Sequence, residues 1–518
     1  MSRTRKKRIL FVLTAGLVLL LVLCGCGGGE KTETQSYTRL EELENKRIGV
    51  TTGSVQSMQV EQRFPDAEIY YFSSEVDCLA AMKAGRIDAF AGAEAIVKFM
   101  MAENPDLTCV EESLADGMKA GAAFPKTERG KELCDQYSAY LVNAKQSGLY
   151  DEVQEIWYGP DESKRVVPDL YTLPGPNGTL KIAADTGSVP FTYIKDGKIV
   201  GVDVDLVTRF CKEYGYKPEI VVMDFPGILP SIASGKCDFA CGGIAMTPER
   251  MESVYFSEPT YEGGSVMAVL KAPEEAEAGG MFGSIAVSFE KTFLREGRWK
   301  LFVEGTGNTL LITLLAALFG TLLGFAVYLL CRRGNRIANK VTAACVWLVE
   351  GMPMVVLLMV LYYIVFRSVG IGGLAVAVIG FTLTFGASMY GMLCSGVNAV
   401  DRGQTEGARA LGYSDRMAFF QIILPQAIGH IMPSYKGQVV SLLKATAVVG
   451  YIAVQDLTKM GDIVRSRTYE AFFPLIAVTV IYFLLAGLMI RVVELLMKNI
   501  NPKNRKPEKI LKGVVTHD

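Results

Sequence analysis

Glu406-Gly407-Ala408-Arg409-Ala410-Leu411-Gly412-Tyr413, continued through Ser414 and closed by Ile422-Ile423-Leu424-Pro425, is a polar, helix-forming stretch set between long apolar runs. A helix reaching Leu411 stops at Gly412, because glycine enters the left-handed conformation that terminates helices. Ser414 offers a side-chain acceptor for the start of a second helix running to Leu424, with Pro425 ending it. The spacing predicts a helix-turn-helix lying on a membrane surface.

The flanking runs supply the membrane. Thr309–Leu330, Ala344–Phe366, Ser368–Val400, Val439–Val454 and Ala471–Ile490 are each apolar enough, and near the roughly 20 residues needed, to cross a bilayer as a helix. Two carry a charge, Glu350 in the second and Lys444 in the fourth. A charge at a helix centre costs roughly 2.5–3.5 kcal/mol on insertion scales. Glu350 therefore reads as an end-of-span residue, and Lys444, deeper in its span, either faces the translocation path or has a structural role only. Basic residues follow the first span (Arg332, Arg333, Arg336, Lys340), the third (Arg402, Arg409, Arg416) and the fifth (Lys498, Lys503, Arg505, Lys506, Lys509, Lys512). These segments fall on one side, the cytoplasm by the positive-inside rule. The opening hairpin is then cytoplasmic, and everything before the first span is outside.

Residues 304–497 resemble the membrane subunits of polar amino acid ABC importers. The resemblance rests on Glu406, Ala408, Gly412, Ile422, Leu424 and Pro425, together with Arg402-Gly403-Gln404, Gln426-Ala427, Ser441-Leu442-Leu443-Lys444 and Ser466-Arg467-Thr468. It implies an all-α, five-span type I importer domain whose hairpin docks into a groove of a separate ATPase chain. Gly407 and Glu350-Gly351-Met352-Pro353 depart from the family pattern. The phosphate-cradling Gly-x-x-x-x-Gly-Lys-[Ser/Thr] motif is missing from the sequence. The chain itself thus needs no cofactor, and ATP and Mg belong to the ATPase partner. Two ATPases need two hairpins, which predicts a homodimer or a dimer with a homologous subunit.

The N-terminus begins with Arg3, Arg5, Lys6, Lys7 and Arg8, then an uncharged run from Ile9 to Leu23 that suits a signal peptide. Leu23-Cys24-Gly25-Cys26 resembles a lipoprotein signal with Cys26 as the acylated residue; the alternative is an uncleaved anchor.

Between these regions, short β-branched strands (Arg47–Val50, Glu68–Tyr71, Leu180–Ala183, Glu219–Val222) alternate with helices (Val76–Lys83, Thr127–Gln146, Asp203–Tyr214), the pattern of α/β lobes. Asp196-Gly197 predicts a hairpin turn. This half resembles the bilobed solute-binding proteins of the same importers, in reversed order. Ala184-Asp185, Pro190-Phe191, Gly201–Leu206, Gly227–Pro230 and Thr247-Pro248-Glu249-Arg250 match the opening lobe. Lys46–Val50, Thr52-Gly53-Ser54, Gly85–Ala89 and Trp157-Tyr158-Gly159 match the second lobe and returning tail. Two unrelated half-domains would lack their return strands, so the order reads as a circular permutation. It gives a signal at 1–26, linker 27–39, second lobe with return segment 40–165, linker 166–177, first lobe 178–272, pre-membrane segment 273–303, permease 304–497 and cytoplasmic tail 498–518.

The resemblance implies a carboxylate clamp at Arg250, assisted by Gly53 and Ser54, an aromatic wall at Phe225, and ligand contacts from Asp185 and the Gly243 carbonyl. Three positions depart from it: Ser188, Ala245 and Ala93, the last standing where an ammonium-binding aspartate is usual, with Glu94 beside it.

Net charge is −1, from 53 basic and 54 acidic residues, so no bulk field points to nucleic acid. With His430 and His517 the only histidines, a His-based metal site or Ser-His triad in the exported half is excluded. Its six cysteines lack scaffold spacing and read as mostly free, buried thiols. The expected product is a solute-binding and permease subunit importing polar amino acids or related small carboxylate-bearing solutes, in a plasma membrane. The alternative is a membrane-tethered solute sensor without transport.

Overall fold

The computed structural model describes residues 37–497 apart from 160, 196, 272–287, 333, 335, 368 and 469–471. The leader with Cys26, the tail after residue 497 and Asp196 of the hairpin turn lie outside the described residues.

Two mixed sheets form the first half. In chain order the strands are β1 Arg47–Thr51, β2 Glu68–Phe72, β3 Ala89–Ala93, β4 Leu107–Ala120, β5 Ala123–Pro125, β6 Thr179–Ala184, β7 Tyr193–Lys195, β8 Lys198–Val200, β9 Lys217–Val222, β10 Phe239–Ala240, β11 Val254–Phe256 and β12 Tyr261–Leu270. One sheet has the order β2-β1-β3-β12-β4 and the other β11-β5-β10-β6-β9, while β7 and β8 pair as the predicted hairpin. β1, β2 and β3 are parallel, as are β10, β6 and β9. Helices cover such strands on both faces, so they read as continuous small or apolar runs; all five residues of β3 are buried.

Neither sheet is built from one contiguous segment. β12 leaves the second half of the sequence and inserts between β3 and β4, pairing Val266 with Gly92 and Met267 with Ala91. β5 goes the other way and pairs with β10 and β11. Helices Glu128–Ser147 and Leu149–Tyr158 follow β5 to the second sheet, where Phe124 stacks on Phe239 at 4.8 Å between ring centres. Trp157 is fully buried there and donates its indole N–H to Asp205 at 3.0 Å. The domain's two chain connections meet one strand. The Thr38 carbonyl accepts a hydrogen bond from Glu111 N, and Lys271 N donates to Asp106 O, five residues away along the same segment, or roughly 17 Å at strand rise. The six cysteines of this half are free, five of them buried.

The second half is helical. Trp299–Cys331, Gly373–Asn398 and Phe472–Met497 are each long and apolar enough to cross a membrane. Two bent pairs qualify as single spans, Arg336–Glu350 with Met354–Val365 at 107° and Asp415–Ile452 with Leu457–Thr468 at 57°, giving up to five among the described residues. The hairpin forms as predicted at its turn. Helix Arg402–Ala410 ends in a Schellman closure: Gly412 has φ +83°, Tyr413 N donates to Ala408 O at 3.0 Å, and Gly412 N to Arg409 O at 3.0 Å. Ser414 caps the next helix, accepting from Met417 N at 3.3 Å.

Pro425 does not end that helix. Phe419–Ile423 forms a π turn, and Pro425 falls in the first turn of Leu424–Ala445, which runs on into the membrane region. The wide i→i+5 turn makes room for the ring, and the N–H that proline lacks is not missed in a first turn.

Candidate functional site

Arg250 lies on the short helix Pro248–Ser253, whose first turn is fixed by the Thr247 hydroxyl accepting from Arg250 N at 3.2 Å. Its guanidinium donates to Ala245 O at 2.9 Å and, across the cleft between the lobes, to Gly53 O at 3.0 Å. Phe225 lies 5.7 Å from the guanidinium carbon, within cation–π range. Arg250 and Phe225, with Asp185, Ser54 and Gly243, line an inter-lobe cavity of about 70 Å³. Five of the seven expected solute residues thus converge there, and Gly53 contributes through its carbonyl.

Glu94 does not. β3 ends at Ala93 and a helix begins at Glu94, whose carboxylate turns outward to Lys98 at 2.5 Å and Gly264 N at 3.2 Å. It borders instead a wider depression of about 800 Å³ that contains none of the other expected residues.

Local chemistry holds the cavity open on the first-lobe side. Gly243 has φ +67°, and a β-carbon there would lie 2.7 Å from the Phe191 ring, so only glycine fits. Buried Asp203 accepts the N–H groups of Gly242 at 2.8 Å and Gly243 at 2.9 Å, fixing the loop. The Thr192 hydroxyl donates to the Asp185 carbonyl at the next strand end.

Sequence reading missed Glu75. It opens helix Glu75–Lys83, directly after β2 and the capping residue Ser74, and lines the same cavity as Asp185, Arg250 and Ala93. Its Cγ lies 3.7 Å from where a β-carbon on Gly92 would be, beside the position lacking the usual carboxylate. Burial pushes the carboxyls of both Glu75 and Asp185 above their ordinary values, and the charge of Asp185 raises Glu75 further. A pair of carboxylates and a guanidinium lining one cavity suit a solute carrying one charge of each sign. The available signal was positional: polar residues at the C-terminal ends of parallel strands face the ligand crevice.

A second cavity, about 340 Å³, shares Ser73, Ser74, Asp185, Gly187 and Phe225 with the first. Its other wall comes from the helical half, including Tyr451, Lys459, Asp462 and Arg465. Lys459 Nζ contacts Asp224 and lies 3.7 Å from Asp185 Oδ1; Arg465 pairs with Asp77 of the other lobe. Around them Lys236 Nζ donates to Phe366 O (2.5 Å) and Val369 O (2.9 Å), while the Tyr363 hydroxyl contacts Gly227 O (3.3 Å) and Tyr451 O (2.8 Å). The binding half is therefore seated on the helical half by both lobes.

On the hairpin, Ala408 is buried, Ile422, Leu424 and Pro425 are half-buried, and Glu406 and Gly412 are exposed. Leu411 is 79% exposed, an apolar side chain presented at the tip.

Comparison with known proteins gives the following. The profile of bacterial extracellular solute-binding proteins, family 3, matches residues 180–423. A putative glutamine transport system permease protein of Rickettsia bellii is 32% identical over 200 residues, 38% of this chain and 92% of that protein. An arginine ABC transporter permease of Haemophilus influenzae is 31% identical over 177 residues, 31% of this chain and 78% of its own. An L-cystine transport system permease of Bacillus subtilis is 30% identical over 188 residues, covering 35% and 79%. A crystal structure of an amino acid ABC transporter with histidines is 31% identical and covers 39% of this chain and 94% of that one, with a TM-score of 0.36.

Proposed function

Given that this chain belongs to the permeases of amino acid ABC transporters and also carries a family 3 solute-binding domain, we propose that it is the combined solute-binding and membrane subunit of an importer for polar amino acids or related small carboxylate-bearing solutes. The carrying observation is the inter-lobe cavity lined by Arg250, Asp185 and Glu75, which shares Asp185 and Phe225 with a second cavity walled by the helical half of the same chain. Arg250 has N–H donors suited to a planar carboxylate, and Phe225 flanks it.

The binding half works outside the cell, tethered to its own permease, so docking proceeds at the high effective concentration of an intramolecular contact. A lipidated Cys26 adds a second attachment. The reversed order of the lobes is a circular permutation, supported by the neighbouring exits at Thr38 and Lys271. On the cytoplasmic side the hairpin, with Glu406, Leu411 and Gly412 exposed, is the handle for a separate ATPase that binds ATP and Mg. Two chains form the working dimer.

The test is solute-stimulated ATP hydrolysis by the chain reconstituted with its ATPase. We expect stimulation by one or a few amino acids, lost in Arg250→Ala and uncoupled in Glu406→Lys. Stimulation unchanged in Glu406→Lys would remove the hairpin assignment. Solute binding without any stimulated hydrolysis would favour the sensor reading.

A further inference from the structure

The helix Leu457–Thr468 belongs to the membrane half, yet its charged residues lie at the mouth of the solute cleft. Lys459, Asp462 and Arg465 recur at intervals of three, which puts them along one side of the helix. All three line the larger cavity. Lys459 is 9% exposed and its ammonium lies between Asp224, which it contacts, and Asp185, 3.7 Å away. Asp185 also lines the smaller cavity with Arg250 and Glu75. Arg465 pairs with Asp77 on the opposite lobe. One helix thus fastens both lobes, but only Lys459 does so on a carboxylate that also faces the solute.

We infer that Lys459 is a tethered competitor for the solute's cationic group: in the docked arrangement its ammonium takes over Asp185, weakening the hold on the solute where it must be handed to the membrane half. A primary ammonium on a flexible four-carbon stem matches the charge, size and hydrogen-bonding capacity of an amino acid's α-ammonium. Asp185 has limited capacity for two cations, which repel one another at this range. The two bindings are therefore linked: solute on Asp185 loosens Lys459 by the same factor as Lys459 loosens the solute. Glu75, with no ion pair among the described residues, is left to hold the cationic end until the lobes part.

This rests on the amino acid reading above, and the experiment separates the two. The full chain in lipid nanodiscs is titrated with the twenty L-amino acids, and the best binder is compared with its 2-hydroxy acid, which keeps the carboxylate and lacks the ammonium. In Lys459→Gln the amino acid is expected to bind roughly tenfold tighter, the hydroxy acid unchanged, and in proteoliposomes with the ATPase both KM and kcat for import to fall. Arg465→Gln, which loosens docking at the other lobe and keeps the Lys459 ammonium, serves as control and should shift the ratio of the two affinities far less than Lys459→Gln does. If Lys459→Gln and Arg465→Gln alter both ligands alike, or Lys459→Gln alters neither, the competitor role is refuted while the importer reading stands. If no amino acid binds the wild type, or Arg250→Ala binds as well as wild type, the amino acid reading itself falls and the inference with it.

Discussion

Arg250 has five N–H donors, two of which meet the carbonyls of Ala245 and Gly53. Those two bonds hold the guanidinium plane in the cleft and leave further donors for a ligand carboxylate. In the same cavity, burial raises the carboxyls of both Glu75 and Asp185. Folding holds their protons more tightly than the unfolded chain does, so their contribution to stability is present at acid pH and lost as pH rises through their raised values. Solute binding runs the other way, because an ammonium needs both groups ionised. Binding is expected to weaken on acidification with a midpoint above 4.5, the ordinary value for glutamate. The charged groups around Glu75 are Asp185 and Arg250 in the cavity, with Lys459 and Asp224 behind Asp185. Glu75→Gln should cost roughly 10- to 100-fold in amino acid affinity, the scale of one charge-assisted hydrogen bond, and flatten the acid limb of a calorimetric pH series. An unaltered pH profile in that variant would exclude Glu75 from the site. Glu75 was not legible in the sequence because its role arises from adjacency to Gly92 and Ala93 on another strand. Glu94, adjacent in sequence, is turned away by the helix it begins.

Among the elements, the hairpin was the most legible, since its signals are local. Gly412 and Ser414 act on backbone groups within five residues of themselves. Gly412→Ala forces a β-carbon into the left-handed region at a cost of about 1–2 kcal/mol. We expect little change in solute affinity and a several-fold loss of solute-stimulated hydrolysis, measured side by side; equal hydrolysis would mean that the turn geometry does not transmit force. Pro425 was misread because a π turn is not signalled by any single residue. β12 was equally opaque: its partners in β3 and β4 lie more than 140 residues earlier, and pairing over that separation is decided by the packed domain rather than by local pattern. The charges on Leu457–Thr468 were visible in sequence, but their partners Asp77, Asp185 and Asp224 were assigned only by the docked halves.

At the scale of the molecule, covalent attachment replaces diffusion. Cleaving the intact chain at protease sites introduced both within residues 27–36 and within residues 272–287 should leave the released binding half able to bind solute and make stimulated hydrolysis fall on dilution. Stimulation that persists at high dilution would show that docking is tight without the tether. The paired exits at Thr38 and Lys271 bear on how the domain opens. Both attach along β4, so the chain enters and leaves through the lobe built on β1 to β4, and the lobe carrying Arg250, Asp185 and Gly243 has no connection of its own to the helical half. Once the contacts with Tyr363, Phe366 and Lys459 release, we expect the connected lobe to stay near the helical half and the other to swing. The chain order thus predicts a fixed plate and a moving lid, and the lid is the part that bears Arg250.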